Sequence, residues 1–88
     1  MMNSVFVARQ TRGLAAQLLG DGALDDAGRI SRAYYRAINR PPAAEEIRAA
    51  LDYIVHFPGK PDSPEGRLAA WSSFCRALVA SNDFLYVH

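Results

Sequence analysis

Apolar residues recur at three- and four-residue spacing in four stretches of this chain, the repeat expected of one face of an α-helix. The clearest is RISRAYYRAINRPPAAEE, Arg29 to Glu46, where Ile30, Ala33, Tyr34, Ala37 and Ile38 share a face. Arg29, Arg32 and Arg36 fall largely on the opposite side, where long basic chains stay solvated. Asp25 and Asp26 stand just ahead, placed to accept orphan backbone N–H groups and to complement the helix dipole. Pro41 and Pro42 stop the helix, because proline lacks an N–H and drives the preceding Arg40 out of the α region. Glu45 and Glu46 open a further helix, whose apolar face is Ile47, Ala50, Leu51, Ile54 and Val55. So short a connection makes the two helices antiparallel neighbours. This hairpin is read as the centre that the other pieces cover.

The flanking stretches follow the same logic. Asn3 or Ser4 caps a first helix running to Leu19, with Val7, Leu14 and Leu18 on one stripe, Thr11 between them, and Phe6 and Leu19 as further apolar positions. Gly13 weakens it unless another helix packs closely there. Gly20-Asp21-Gly22 ends it, and Leu24 tucks into the core. His56 to Gly66 holds three prolines and two glycines and reads as a loop. Ser63 then caps a last helix with Pro64 at its first position. Its buried stripe is Leu68, Trp71, Cys75, Leu78 and Val79, with Phe74 at the edge and Ser81-Asn82 at the end. Phe84, Leu85 and Tyr86 are too apolar to hang in water and dock back as a tail. The pattern therefore predicts one all-α domain or fragment over 1–88, with helices at about 4–19, 26–39, 44–56 and 64–81. These form a small four-helix bundle of antiparallel helical hairpins with a docked C-terminal tail.

Composition narrows the picture. Half of the 88 residues are hydrophobic, but many are alanine, so the bulky core is thin. A domain this size buries only about 60–65% of the surface its unfolded chain exposes. Ten basic against nine acidic residues leave a net charge of +1, which gives no support to nucleic-acid or membrane-surface binding. No stretch approaches the roughly 20 apolar residues of a membrane span, and the start of the chain lacks the basic and apolar runs of a secretory signal. Taken alone, the chain reads as cytoplasmic; that reading lapses if it is a fragment.

The residues with chemical potential are few. Cys75 is the only cysteine, so no internal disulfide and no CxxCH haem attachment exists. It lies on an apolar helical face, where a thiol is inert. His56 and His88 have no metal-ligand spacing. Asp25-Asp26 and Glu45-Glu46 are explained by helix N-termini before acid–base chemistry. The arginines of the second helix admit two readings. One is a solvated face paired with Asp52 or Glu46, worth little per pair. The other is an anion-binding stripe of Arg32, Arg36 and Arg40, with Tyr35 available to stack on a sulfated glycan. Tyr34 and Trp71 read as core, and the plainer reading of Tyr35 packs it at the helix–helix seam with its hydroxyl wet. No catalytic residue, cofactor or metal is expected.

Three motifs together resemble the C-terminal region of the large planctomycete-type cytochrome-c-domain proteins, which also occur in Verrucomicrobia and related bacteria. They are Asn3 to Val7; Arg29-Ile30 through Tyr35-Arg36 and Arg40-Pro41-Pro42 to Glu45-Glu46; and Ala70-Trp71 with Ser81 through Tyr86. The resemblance spans nearly the whole chain in order. Ala43 stands where the family usually has threonine, and Asp83 where it has glutamate. Family members are far longer, with the cytochrome domain upstream, and Met1-Met2 resembles an interior position, so the chain is expected to be a fragment or a truncated reading frame.

The resemblance implies a parent that is secreted, periplasmic or envelope-associated and linked to electron transfer or polysaccharide use. Its C-terminal region is a domain of unknown function. No haem and no catalytic residue carries over. The expected role is a non-catalytic packing or protein–protein interaction module whose partner is upstream domains of a longer parent chain or another protein. Arg40, Pro41 and Pro42 would set the hairpin, while Trp71, Phe84, Leu85 and Tyr86 would seal it.

Overall fold

Four helices account for about three-quarters of the chain in the computed structural model: α1 Ser4–Gly20, α2 Asp26–Ile38, α3 Ala44–Val55 and α4 Pro64–Tyr86. The backbone is described for residues 4–59 and 62–86, and side-chain surroundings for 9–59 and 62–80. Local chemistry sets most of the ends. Gly28 N–H donates to Asp25 Oδ1 (2.8 Å) at the start of α2, and Gly66 N–H donates to Ser63 Oγ (3.0 Å) at the start of α4. Each side chain satisfies one of the amides that a first turn leaves open. Between α1 and α2, Ala23 N–H donates to Asp21 Oδ1 (3.1 Å), so the aspartate shapes its own turn. Asn39 closes α2 in the left-handed region (φ 57°) with its N–H on Tyr35 O. Asparagine tolerates that conformation better than most residues, and Pro41-Pro42 then forbid continuation.

Consecutive helices pack on one another, and α1 packs on α4 most extensively, which closes the ring. α2 and α4 also meet across it, while α1 and α3 stay apart among the described residues. The centre is therefore α4, which touches all three others, rather than the α2–α3 hairpin. The reason is its stripe: Ala70, Trp71, Phe74, Cys75 and Leu78 are all buried. Trp71, the largest fully buried side chain, meets the Phe74 ring edge-on (5.8 Å, 90°). Phe74 in turn lies against Tyr34 of α2 (6.4 Å). Ile30, Ala33, Ala50, Ile54, Ala15 and Leu18 complete the core, with Ile38 packed half-buried against it. Trp71 has the structural place expected of it.

Several expectations are corrected. Phe74 is core, not edge. Val55 is 66% exposed, because it lies past Leu51, itself only half-buried at the rim of the α3 stripe. On α1 the buried line is Thr11, Ala15 and Leu18, with Leu14 at its flank. Tyr35 is exposed rather than set in a helix seam. Residues 81–86 do not leave the bundle as a separate tail; their backbone continues α4 to Tyr86. The side chains of Phe6, Val7, Phe84, Leu85 and Tyr86 lie outside the described residues, as does His88.

Gly13 sits in mid-α1, and a Cβ built on it would meet nothing within 4 Å. The helix bears the conformational freedom of glycine with no packing gain. Gly13→Ala is expected to stabilise the domain by about 1 kcal/mol, a rise of about 4–8 °C in melting temperature for a chain this short. A thermal melt followed by circular dichroism checks it; an unchanged or lowered midpoint would contradict the open surroundings of that residue.

Candidate functional site

The arginines of the sequence pattern separate into different environments. Arg29, expected in solvent, is turned inward with its side chain 12% exposed. Its Nε donates to Leu18 O (2.8 Å) and a terminal nitrogen to Asp21 O (3.1 Å), so it closes the carbonyl end of α1. Its other terminal nitrogen pairs with Asp26 Oδ1 (2.8 Å), which also receives Arg67 of α4 (2.6 Å). Burial disfavours the charged Asp26, but the hydrogen bonds from Arg67 and Arg29 prevail and hold its pKa below the usual carboxylate value.

Arg32 is exposed and lies 3.6 Å from Asp21 Oδ2, and Arg36 donates to Gln17 Oε1 (2.7 Å). Both line a hollow of about 110 Å³ with Asp21, Gln17 and Leu24, where the Asp21 carboxylate offsets part of the positive field. Arg40 belongs to another node: it forks onto both Glu46 oxygens (2.8 Å each) and sits 5.4 Å over the Tyr34 ring. The stripe Arg32, Arg36, Arg40 is thus divided, and Tyr35 is 54% exposed and does not line the hollow. Of the pairings expected between the arginine stripe and Asp52 or Glu46, the one present among the described residues is Arg40 with Glu46, whereas Asp52 lies against His56 on the surface (3.2 Å).

Glu46 carries two jobs at the Arg-Pro-Pro corner. Besides Arg40, it accepts the Ala43 N–H (2.8 Å), the return half of a capping box. The Arg40 hydrogen bonds and then the Ala43 amide lower its pKa to about 2. A carboxyl depressed on folding stabilises above its unfolded pKa and loses that contribution as pH falls toward its folded value. The expected result is an acid limb in the stability curve between about pH 4.5 and 2, flattened in Glu46→Gln; an identical limb in the variant would contradict it. Ala43 has no oxygen to complete the other half of the box. Ala43→Thr supplies one at a residue already in extended conformation (φ −74°, ψ 162°). It is expected to raise stability by about 1 kcal/mol in a urea titration.

Beside this corner runs a groove of about 250 Å³ lined by Tyr34, Glu46, Ala49, Ala50, Tyr53, Phe74, Ala77 and Leu78. α2 supplies Tyr34, α3 the stretch from Glu46 to Tyr53, and α4 the rest. Its walls are mostly apolar, and among the described residues its only charged lining residue, Glu46, is tied to Arg40. Tyr53 is 42% exposed and holds its hydroxyl against Ser73 Oγ. Burial, and next the Glu46 charge, raise the Tyr34 pKa, so its hydroxyl stays protonated. Sequence reasoning missed this groove. Its signal is weak: exposed alanines at 49 and 77 where a surface helix usually carries long polar chains.

Other reactive groups are quiet. Burial pushes the Cys75 thiol up to about 12, so it is not a thiolate at neutral pH. Among the described residues no cluster of His, Cys, Asp and Glu is placed to hold a metal. No helix among them is long and apolar enough to cross a membrane. Trp71 Nε1 and Ser72 Oγ are buried without a hydrogen-bond partner, a state costing about 1–3 kcal/mol per group. Comparison of the chain with protein-family models, with curated proteins and with solved structures returns no match.

Proposed function

We propose that this helical bundle domain is a non-catalytic interaction module that seats on a protein partner through the groove between α3 and α4. The observation that carries the reading is the groove itself: an open apolar trough of about 250 Å³ whose upper walls are Ala49, Tyr53 and Ala77. Small residues leave room for a partner's side chains, and a half-exposed tyrosine is a rigid, amphipathic contact of the kind enriched at interfaces. The resemblance of Asn3–Val7, Arg29–Glu46 and Ala70–Tyr86 to the end of cytochrome-c-domain proteins suggests the partner: an upstream part of the same, longer polypeptide in an envelope-associated parent. The packed roles of Trp71 and of the Arg40–Glu46 corner fit a module built to present a surface.

The test has two parts. Genomic DNA upstream of Met1 is read for an in-frame continuation containing CxxCH; an in-frame stop there removes the parent-chain partner. The upstream segment, produced separately, is then titrated calorimetrically with this chain. Ala49→Arg and Ala77→Arg, both at exposed positions, are expected to weaken binding at least about tenfold without lowering the melting temperature. Undiminished binding by both variants removes the groove from the reading.

A further inference from the structure

A second cleft lies on a different face, along α4. Residues 65, 68, 69, 72, 73 and 76 form one helical stripe, and Glu65, Leu68, Ala69, Ser72, Ser73 and Arg76 line a cleft of about 460 Å³ there, closed at its sides by Arg12 of α1 and Phe57 of the α3–α4 connection. The polar members are unevenly used. Ser73 is held by Tyr53, and the buried Ser72 hydroxyl has no partner. Arg12 and Arg76, unlike Arg29, Arg32, Arg36, Arg40 and Arg67, make no ion pair or hydrogen bond among the described residues.

Their relative level follows from the polar tie at the other end. Leu18 O, Arg29, Asp26 and Arg67 are joined in series, so the C-terminal end of α1 stands beside the N-terminal end of α4 and the two helices run antiparallel. Arg12 and Ser73 each lie about 9 Å beyond that level, at about 1.5 Å rise per residue. Arg76 is within one further turn. The two free guanidinium groups therefore share one end of the cleft. Glu65, about 16 Å from Arg76 along the helix axis, marks the other. Leu68, Ala69 and Phe57 supply apolar surface.

We propose that this cleft binds a small amphiphilic carboxylate, its anionic head between Arg12 and Arg76 and its apolar body over Leu68, Ala69 and Phe57. Planar guanidinium groups take a carboxylate with paired hydrogen bonds. Glu65 disfavours a second negative charge at the far end, so a monocarboxylate is selected over a dicarboxylate. A bare inorganic anion gains nothing from the apolar surface.

The experiment uses the whole chain, labelled with nitrogen-15, titrated with 3-phenylpropionate, its neutral amide and inorganic phosphate. Saturable shifts at Leu68, Ser72 and the Arg12 and Arg76 side-chain N–H signals are expected with the carboxylate. The amide and phosphate should bind at least about tenfold more weakly. Arg12→Gln and Arg76→Gln should each weaken carboxylate binding about tenfold with unchanged melting, since neither side chain is used by the fold. Arg48→Gln, exposed on α3, should leave it unchanged. Equal binding of the amide, an effect of Arg48→Gln as large as that of the other two, or no saturation by about 10 mM overturns the proposal. If a glutamine variant melts early, the carboxylate–amide comparison on the unmodified chain decides.

Discussion

Trp71→Ala is expected to remove about 3–5 kcal/mol of stability, the range for emptying a fully buried large aromatic site. A domain of this size has on the order of 4–13 kcal/mol in total, so the variant should lose a large part of it. Trp71 is completely buried at the helix that touches all three others. Its loss strips one side of Phe74, which links α4 to Tyr34 of α2. The measurement is a urea titration followed by far-ultraviolet circular dichroism, since the only tryptophan is the residue changed. Trp71→Phe should cost much less. It keeps most of the apolar volume and removes an indole N–H that is buried without an acceptor. A loss below about 1 kcal/mol for the alanine variant would show that α4 is not the core's centre.

Arg29→Ala carries the second large effect, expected at about 2–4 kcal/mol. The side chain is almost wholly buried and serves three acceptors: Leu18 O, Asp21 O and Asp26 Oδ1. Removing it leaves the Leu18 and Asp21 carbonyls with only their long backbone partners, the Asp21 and Leu24 N–H groups (3.4 and 3.2 Å), and Asp26 dependent on Arg67 alone. Arg29→Lys should recover little, because an ammonium on a flexible stem cannot reach three acceptors spread across a planar fork. Asp26 gives the pH signature. Its pKa is depressed on folding, so its contribution is complete above the unfolded carboxylate value and fades as pH falls below it. Arg29→Ala should shrink that acid-dependent part. Were the variant as stable as the parent within about 0.5 kcal/mol, the tie between α1, α2 and α4 would be decorative.

The contrast between Arg29 and Arg40 shows where reading residues in order succeeds. Arg40 and Glu46 flank a proline corner, so their pairing is a matter of local geometry and was legible. Arg29 acts on a carbonyl of the preceding helix and, through Asp26, on Arg67 of α4. Its position opposite the apolar face of α2 gave the wrong expectation, because the helix period says which side is polar but not whether another helix end lies there. The same gap hid the α3–α4 groove. Alanines at 49 and 77 look like good helix formers in sequence; only the approach of α3 to α4 turns them into the walls of a trough.

What the chain's order of residues settled by itself is the set of helices and most of their ends. Asp25, Ser63, Asn39 and the Pro41-Pro42 pair act within a turn of where they stand, and the apolar period names the faces that must be hidden. Tertiary structure alone decided that α4 is the hub, that Phe74 is core while Val55 is bare, and that α4 continues to Tyr86. It also divided the arginines into a buried clasp, a corner fork and a free pair at the mouth of a cleft. These depend on which helix covers which face, a choice made by summed burial and polar satisfaction between residues far apart in the chain.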